Sequence, residues 1–353
     1  METNKLLHLE FLRIIAIILV LFNHTGEYGF GLFKQCENSM FYGFYMFLAV
    51  ACKVAVPLFW MISGALLIDK EEELKEVYCK RIFKYFIVLL LFSFIRLLYS
   101  NIKNGAGYDI VWYFKKLYMS EWATAYWYLY AYLGMLILLP IIRKMAKNMS
   151  DVEFMYLFFV TLLIRGVLPV FEYLIIGKCG VINQNFKGMF FSINIVYFLM
   201  GYFMEKRIKE EDLSNKKAVV LGIMGFLSII ITCVMTQIQI NEIGEGSAGA
   251  TQQFYNLLVI IPTAAVYYMA RIIFCRIKIG KTGYKIMVML ASASFGVMLL
   301  ENILRNELKF IVIELKDTIH TLPACFLWIT AVWLSGVIIT LFLKQIPVIN
   351  KII

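Results

Sequence analysis

The sequence predicts an all-α fold, a polytopic membrane helix bundle that crosses the bilayer about ten times with both termini in the cytoplasm. Three observations predict it. The 353 residues are 61% hydrophobic and only 16% charged, with a mean hydropathy of +0.76, where a soluble domain is about half apolar and about a quarter charged. The apolar runs have no polar face: 12–22 holds a single charge, Arg13, and 87–95 holds none, whereas a soluble surface helix would interrupt such runs at helical period. Lysine and arginine also crowd into alternate linkers.

Taken in order, the runs lie near 9–27, 44–68, 83–100, 125–142, 152–176, 188–204, 217–236, 254–274, 286–304 and 322–343. Each approaches the roughly 20 apolar residues that a helix needs to cross a hydrocarbon core of about 30 Å. They are too long for barrel strands, so only helices satisfy the backbone there. The first run reads as a retained span, not a cleaved leader, because Glu10 and Arg13 interrupt it and no small-residue cleavage pattern follows. Linkers 69–84 and 205–217 are highly charged, and 237–253 is rich in Gly, Ser and Thr and reads as a loop. No soluble domain fits between the runs and no internal repeat shows, so 1–353 reads as a single transmembrane domain.

Orientation follows from the cations. Linker 69–84 carries Lys70, Lys75, Lys80, Arg81 and Lys84; 205–217 carries Lys206, Arg207, Lys209, Lys216 and Lys217; Arg271 ends the eighth run and Arg276, Lys278, Lys281 and Lys285 follow it. The intervening loops are poorer, with Lys34, then Lys103, Lys115 and Lys116, then Lys178 and Lys187, then Arg305, Lys309 and Lys316. The rich linkers face the cytoplasm. The formal charge of +10 is therefore mostly topology, and no nucleic-acid partner is expected; membrane lipids are. The seven cysteines show no CxxC and no metal-ligand spacing to the three histidines, so no metal is expected. Cys36 and Cys179 fall in outer loops, where a bridge is conceivable and two free thiols are the simpler reading.

A charge inside a span costs a few kcal/mol and faces a partner or a wet cavity. Arg13, Lys53, Arg96 and Arg165 lie within runs. In the first run, at about 100° per residue, Glu10, Arg13, Val20 and His24 share one face, and Arg13 and His24 are about 16 Å apart along the axis. The plain alternative is that Arg13 snorkels to the inner headgroups while Asn23, His24 and Thr25 anchor the outer interface. Buried charges of this kind also mark transporters.

The pattern Glu10-x2-Arg13-x2-Ala16-x3-Val20-x3-His24 resembles the first transmembrane helix of the acyltransferase-3 family, whose hallmark is Arg, ten residues, then His. Val56-Pro57-Leu58-Phe59-Trp60-Met61-Ile62-Ser63-Gly64 is similar to its second-helix segment. Lys80-Arg81-x2-Lys84 resembles its basic motif, and Ala125-Tyr126-Trp127-Tyr128-Leu129 its HLWYL element. Phe198-Leu199-Met200-Gly201-Tyr202 resembles its FxxGY element, and Ser294-Phe295-Gly296-Val297-Met298-Leu299-Leu300 its SFGxYLIH segment. These points run in the family's order. Ala125 and Glu301 stand where the family often has histidine.

The resemblance implies an enzyme of the bacterial cytoplasmic membrane that moves an acyl group, usually acetyl, from acyl-CoA to a hydroxyl on a glycan or lipid-linked glycan. A hydroxyl needs a base with a pKa near 7, the usual task of histidine. His24 is the histidine within a span, with His8 at the membrane entry and His320 in an outer loop set aside. His24 is thus the expected base or transient acyl carrier, Glu10 its or Arg13's orienting group, and Glu301 a second acid/base group or a counter-ion for Lys53, Arg96 or Arg165. Arg13, Arg81 and Lys84 are the expected phosphate contacts of coenzyme A.

Overall fold

The structure, a computed structural model, describes residues 6–36, 39–177, 192–243 and 258–352. Among the described residues it is helical, with no strand. The helices are α1 (Leu7–Asn23), α2 (Tyr42–Ala51), α3 (Ala55–Leu67), α4 (Phe83–Asn104), α5 (Ile110–Met119), α6 (Trp127–Asn148), α7 (Asp151–Leu162) and α8 (Leu168–Ile176). After them come α9 (Ile193–Tyr202), α10 (Asn215–Ile243), α11 (Ile260–Arg276), α12 (Lys281–Glu307), α13 (Phe310–Ile319) and α14 (Thr321–Leu343).

Among the described residues seven helical runs are long and apolar enough to cross a membrane: Tyr42–Leu67, Leu74–Asn104, Thr124–Asn148, Asp151–Ile176, Asn215–Asn241, Lys281–Glu307 and Thr321–Leu343. They coincide with seven of the expected spans. The others correspond to the shorter helices α1, α9 and α11, and the starts of the expected spans 188–204 and 254–274 lie outside the described residues. So do Cys179 and most of the loop expected over 237–253, although α10 carries helix on to Ile243. Cys36 is half-buried. The first helix stops at Asn23, earlier than expected, because residues 24–35 turn into two short 3-10 segments. Helix α12 runs on to Glu307 and so takes in Arg305, which its charge had placed in a loop.

Several boundaries have plain causes. Ser150 and Glu153 form a reciprocal capping box at the start of α7, and Gly105 and Gly177 end α4 and α8 in the left-handed conformation that glycine adopts freely. Among the described residues three turns widen to π geometry: Val77–Ile82, Leu163–Val167 and Phe203–Arg207. Each carries a charged residue, and such bulges are frequent at functional sites.

The chain divides into two compact units, one of residues 1–69 and 148–291, the other of 70–147 and 292–353. In the first, α3 and α9 meet through glycines. A Cβ on Gly64 would run into the Phe198 carbonyl oxygen, and one on Gly201 into that of Met61. In the second, Gly296 of α12 takes the side chain of Thr340 from α14, and Gly336 of α14 takes Val297. The short helix α5 is held there by Tyr113, whose hydroxyl donates to the Leu90 carbonyl at 2.7 Å.

Candidate active site

In the first unit the stripe on α1 faces protein. Ala16 and Val20, which lie between its polar members, are buried. At its inner end Arg13 Nη1 donates to both oxygens of Glu10, at 2.9 and 2.7 Å, an i, i+3 pair that helix geometry favours. At its outer end His24 is the residue on which α1 stops, and its Nδ1 is buried. The flanking residues fix that turn. Asn23 Nδ2 donates to the Cys52 carbonyl at 3.0 Å, and Thr25 Oγ1 donates to the Phe22 carbonyl at 2.7 Å while accepting from Phe30 N at 2.8 Å. An imidazole on a turn clamped from both sides has little freedom to wander, as a proton-transfer group requires.

A cavity of about 890 Å³ opens beside the inner end of α1, walled in part by Glu10, Glu205, Lys206, Lys209 and Arg271. Arg13 and His24 are not in its wall. Behind it stands a network that sequence reasoning passed over. His8 is 3% exposed, and its Nε2 lies 2.9 Å from Glu205 Oε2. The same oxygen accepts from Tyr267 at 3.0 Å, and the Arg271 guanidinium lies 3.8 Å from it and donates to the Met204 carbonyl. Burial alone would raise the Glu205 carboxyl, but His8, Arg271 and Tyr267 outweigh it and hold the group below the ordinary carboxylate range. A carboxylate with two hydrogen-bond partners and a nearby guanidinium is a tie between α1, α11 and the turn at Phe203–Arg207. Nothing in the spacing of residues 8, 205, 267 and 271 could have revealed it.

The second unit holds Arg81, Lys84 and Glu301. Arg81 forks onto Glu72, Nε to Oε2 at 2.7 Å and Nη2 to Oε1 at 2.5 Å, and Arg143 reaches the same carboxylate at 2.8 Å. Two guanidiniums hold the Glu72 carboxyl down at about 2. Lys84 has no ion-pair partner among the described residues; it lies within electrostatic reach of Arg81 and of Lys344. Two cations thus hold one carboxylate and two more follow from Arg81 outward, next to the ring contacts Tyr85–Tyr132, Tyr85–Phe295 and Tyr128–Tyr132. Sequence alone pointed to Arg81 and Lys84 but not to Glu72, Arg143 or Lys344. That surplus of positive charge, forked and close to aromatic faces, suits a phosphorylated nucleotide.

Glu301 is fully buried on α12, and its Oε2 lies 3.2 Å from Arg305 Nε. An ion-pair partner is thus one helical turn away on its own helix. Tyr126, also buried, donates to the Leu299 carbonyl at 2.8 Å and lies within electrostatic reach of Glu301 and Arg96.

A family model described as an acyltransferase domain matches residues 6–343. The chain belongs to the acyltransferase-3 family. No match to it is found among curated proteins or among solved structures. Membership makes this multi-pass membrane protein an acyltransferase, which buried charges alone, equally suited to a transporter, did not decide.

The acyltransferase-3 motifs now have physical roles that can be told apart. Gly64 and Gly201, from two of them, are the pair across which α3 and α9 touch, and Gly296, from a third, admits Thr340. Those positions serve packing. The Arg13 and His24 positions and the basic motif carry the polar groups. Ser63, Trp127 and Tyr128 did not single themselves out by sequence, and Ser294 Oγ is buried with no hydrogen-bond partner among the described residues.

Proposed function

We propose that this acyltransferase moves an acyl group, acetyl in the first instance, from acyl-CoA to a hydroxyl of a glycan or lipid-linked glycan at the bacterial cytoplasmic membrane. The observation that carries the reading is the α1 stripe, a paired cation at the inner end and a clamped imidazole at the other, on a face turned toward protein. Acyl-CoA supplies an activated thioester. The cations Arg81, Lys84, Arg143 and Lys344 would hold its phosphates, the forked guanidiniums giving direction and the lysines charge. Arg13, in the first unit, offers a phosphate only the part of its guanidinium that Glu10 leaves open.

His24 acts as general base. It takes the proton as the acceptor oxygen bonds to the acyl carbon, and it returns that proton to the departing thiolate, so the imidazole ends each cycle neutral. If His24 instead carries the acyl group transiently, the same nitrogen is acylated first and relieved by the hydroxyl. Glu10 keeps Arg13 oriented, and Glu301 orients Arg305. Turnover of acetyl-CoA by purified protein in nanodiscs, followed as thiol release with a glycan acceptor, tests the reading. Removing a general base typically costs 10²–10⁴-fold, so His24→Ala should retain at most about a hundredth of the rate while eluting as a folded species. Full turnover in that variant would sink the assignment.

A further inference from the structure

Helices α4 and α12 lie side by side in the second unit, pinned at two levels. Tyr85 packs on Phe295 with ring centroids 5.4 Å apart. Further along, Tyr99 donates to Glu307 Oε1 and Lys103 Nζ lies 3.0 Å from Glu307 Oε2. Between these pins the register sets Ser93 and Arg96 of α4 level with Glu301, Asn302 and Arg305 of α12, and Tyr126 lies within electrostatic reach of Glu301 and Arg96. The result is a polar layer inside two membrane helices. Arg96 is about 12 Å short of the outer end of α4, at 1.5 Å per residue.

Arg96 Nη1 reaches Ser100 Oγ at 3.4 Å, but other atoms of the layer find nothing. Ser93 Oγ, Arg96 Nε and Asn302 Oδ1 are buried without a hydrogen-bond partner among the described residues, and Ser294 Oγ, two turns down α12, is another. Buried polar groups are nearly always paired, and exceptions ask for a ligand or water. The unmet groups are mixed: a guanidinium donor, an amide acceptor and two hydroxyls that do either. A sugar ring, whose hydroxyls both donate and accept, answers such a set. The charges are unbalanced as well. Arg305 pairs with Glu301 along α12, so those two charges offset each other and the charge of Arg96 is left over. Arg96 lies over the Tyr99 ring at 4.9 Å and has no carboxylate partner among the described residues.

We propose that the layer between α4 and α12 is the acceptor subsite and that it selects an acidic sugar, the sugar carboxylate lying against Arg96 and its hydroxyls against Ser93 and Asn302. The proposal rests on the glycan-transfer reading and narrows its acceptor to a uronic-acid residue. It requires no group at the cytoplasmic end of the unit.

The test is binding in nanodiscs without any acyl-CoA, read as the rise in thermal unfolding midpoint. The probes are the methyl glycosides of glucuronic and galacturonic acid, those of glucose and galactose, and inorganic phosphate as a bare anion. The acidic glycosides should reach half-effect at concentrations at least tenfold below their neutral parents and below phosphate. Arg96→Gln should abolish that preference while keeping the response to neutral glycosides, which also shows that the variant is folded. Asn302→Asp, which adds a negative charge to the layer, should reverse it. No response, equal responses, a phosphate response that matches the sugars, or a preference that survives Arg96→Gln would each overturn the subsite. Failure of the transfer reading would appear elsewhere, as an absence of thioester turnover.

Discussion

Glu72 shows what a single side chain decides here. Its two oxygens accept from Arg81 and Arg143, so it both neutralises part of the basic cluster and holds two guanidiniums at fixed orientation. Folding lowers its pKa from the ordinary 4.5 to about 2, so the charged form is favoured in the folded state. That stabilisation is complete above the unfolded value and drains away as the pH falls toward the folded one. The unfolding midpoint of the wild type should therefore exceed that of Glu72→Gln by a constant margin above about pH 5, with the gap closing below pH 4.5 and vanishing near pH 2. A gap that widens on acidification would show that the pair does not bridge. The contrast with Glu10 also marks what was legible. The Glu10–Arg13 pair follows from a three-residue spacing on one helix, and Glu301–Arg305 from a four-residue spacing that was overlooked because Arg305 was placed beyond the helix end. Glu72 with Arg143, and His8 with Glu205, join residues far apart in sequence and become visible only when helices pack.

Between residues and the molecule stand the helices, and their closest meeting is that of α3 with α9. Backbone carbonyls of Phe198 and Met61 occupy the space where a side chain on Gly64 or Gly201 would begin. Small residues let membrane helices approach in this way. A carbonyl cannot rotate aside as a side chain can, so alanine at either position must push the helices apart. Overpacking costs about 1–3 kcal/mol, occasionally more, and a backbone clash belongs at the upper end. Gly134 of α6 is the control: a Cβ there meets nothing within 4 Å, and alanine in an open helical position gains about 0.5–1 kcal/mol. Unfolding midpoints in one detergent should fall sharply for Gly64→Ala and Gly201→Ala and hold or rise for Gly134→Ala; equal midpoints would refute the close contact. The long spans were legible because hydropathy integrates over many residues. The π turns were not, because one extra residue in a turn leaves composition and hydropathy unchanged. Helices α5 and α13 escaped for another reason, being too short and too charged to read as spans.

At the scale of the whole molecule the argument turns on sidedness, since the basic cluster meets a cytosolic thioester only if linker 69–84 faces the cytoplasm. The charge asymmetry between alternate linkers says that it does, and three native cysteines report on it. Cys36 follows α1 on the side expected to be outer and is half-buried, whereas Cys79 beside the basic motif and Cys275 at the end of α11 are exposed. In sealed right-side-out vesicles, with single-cysteine variants made by replacing the other six with serine, a membrane-impermeant maleimide should label Cys36, slowly because it is partly covered. Cys79 and Cys275 should react only after permeabilisation, and then quickly. Cys52 and Cys325, both buried, should stay unlabelled until the protein is denatured, which guards against leaky or unfolded samples. Labelling of Cys79 in intact vesicles would turn the chain over in the membrane, moving Arg81 and Lys84 away from the compartment that holds acyl-CoA. The donor role of the basic cluster would then fail even with every distance around Glu72 unchanged.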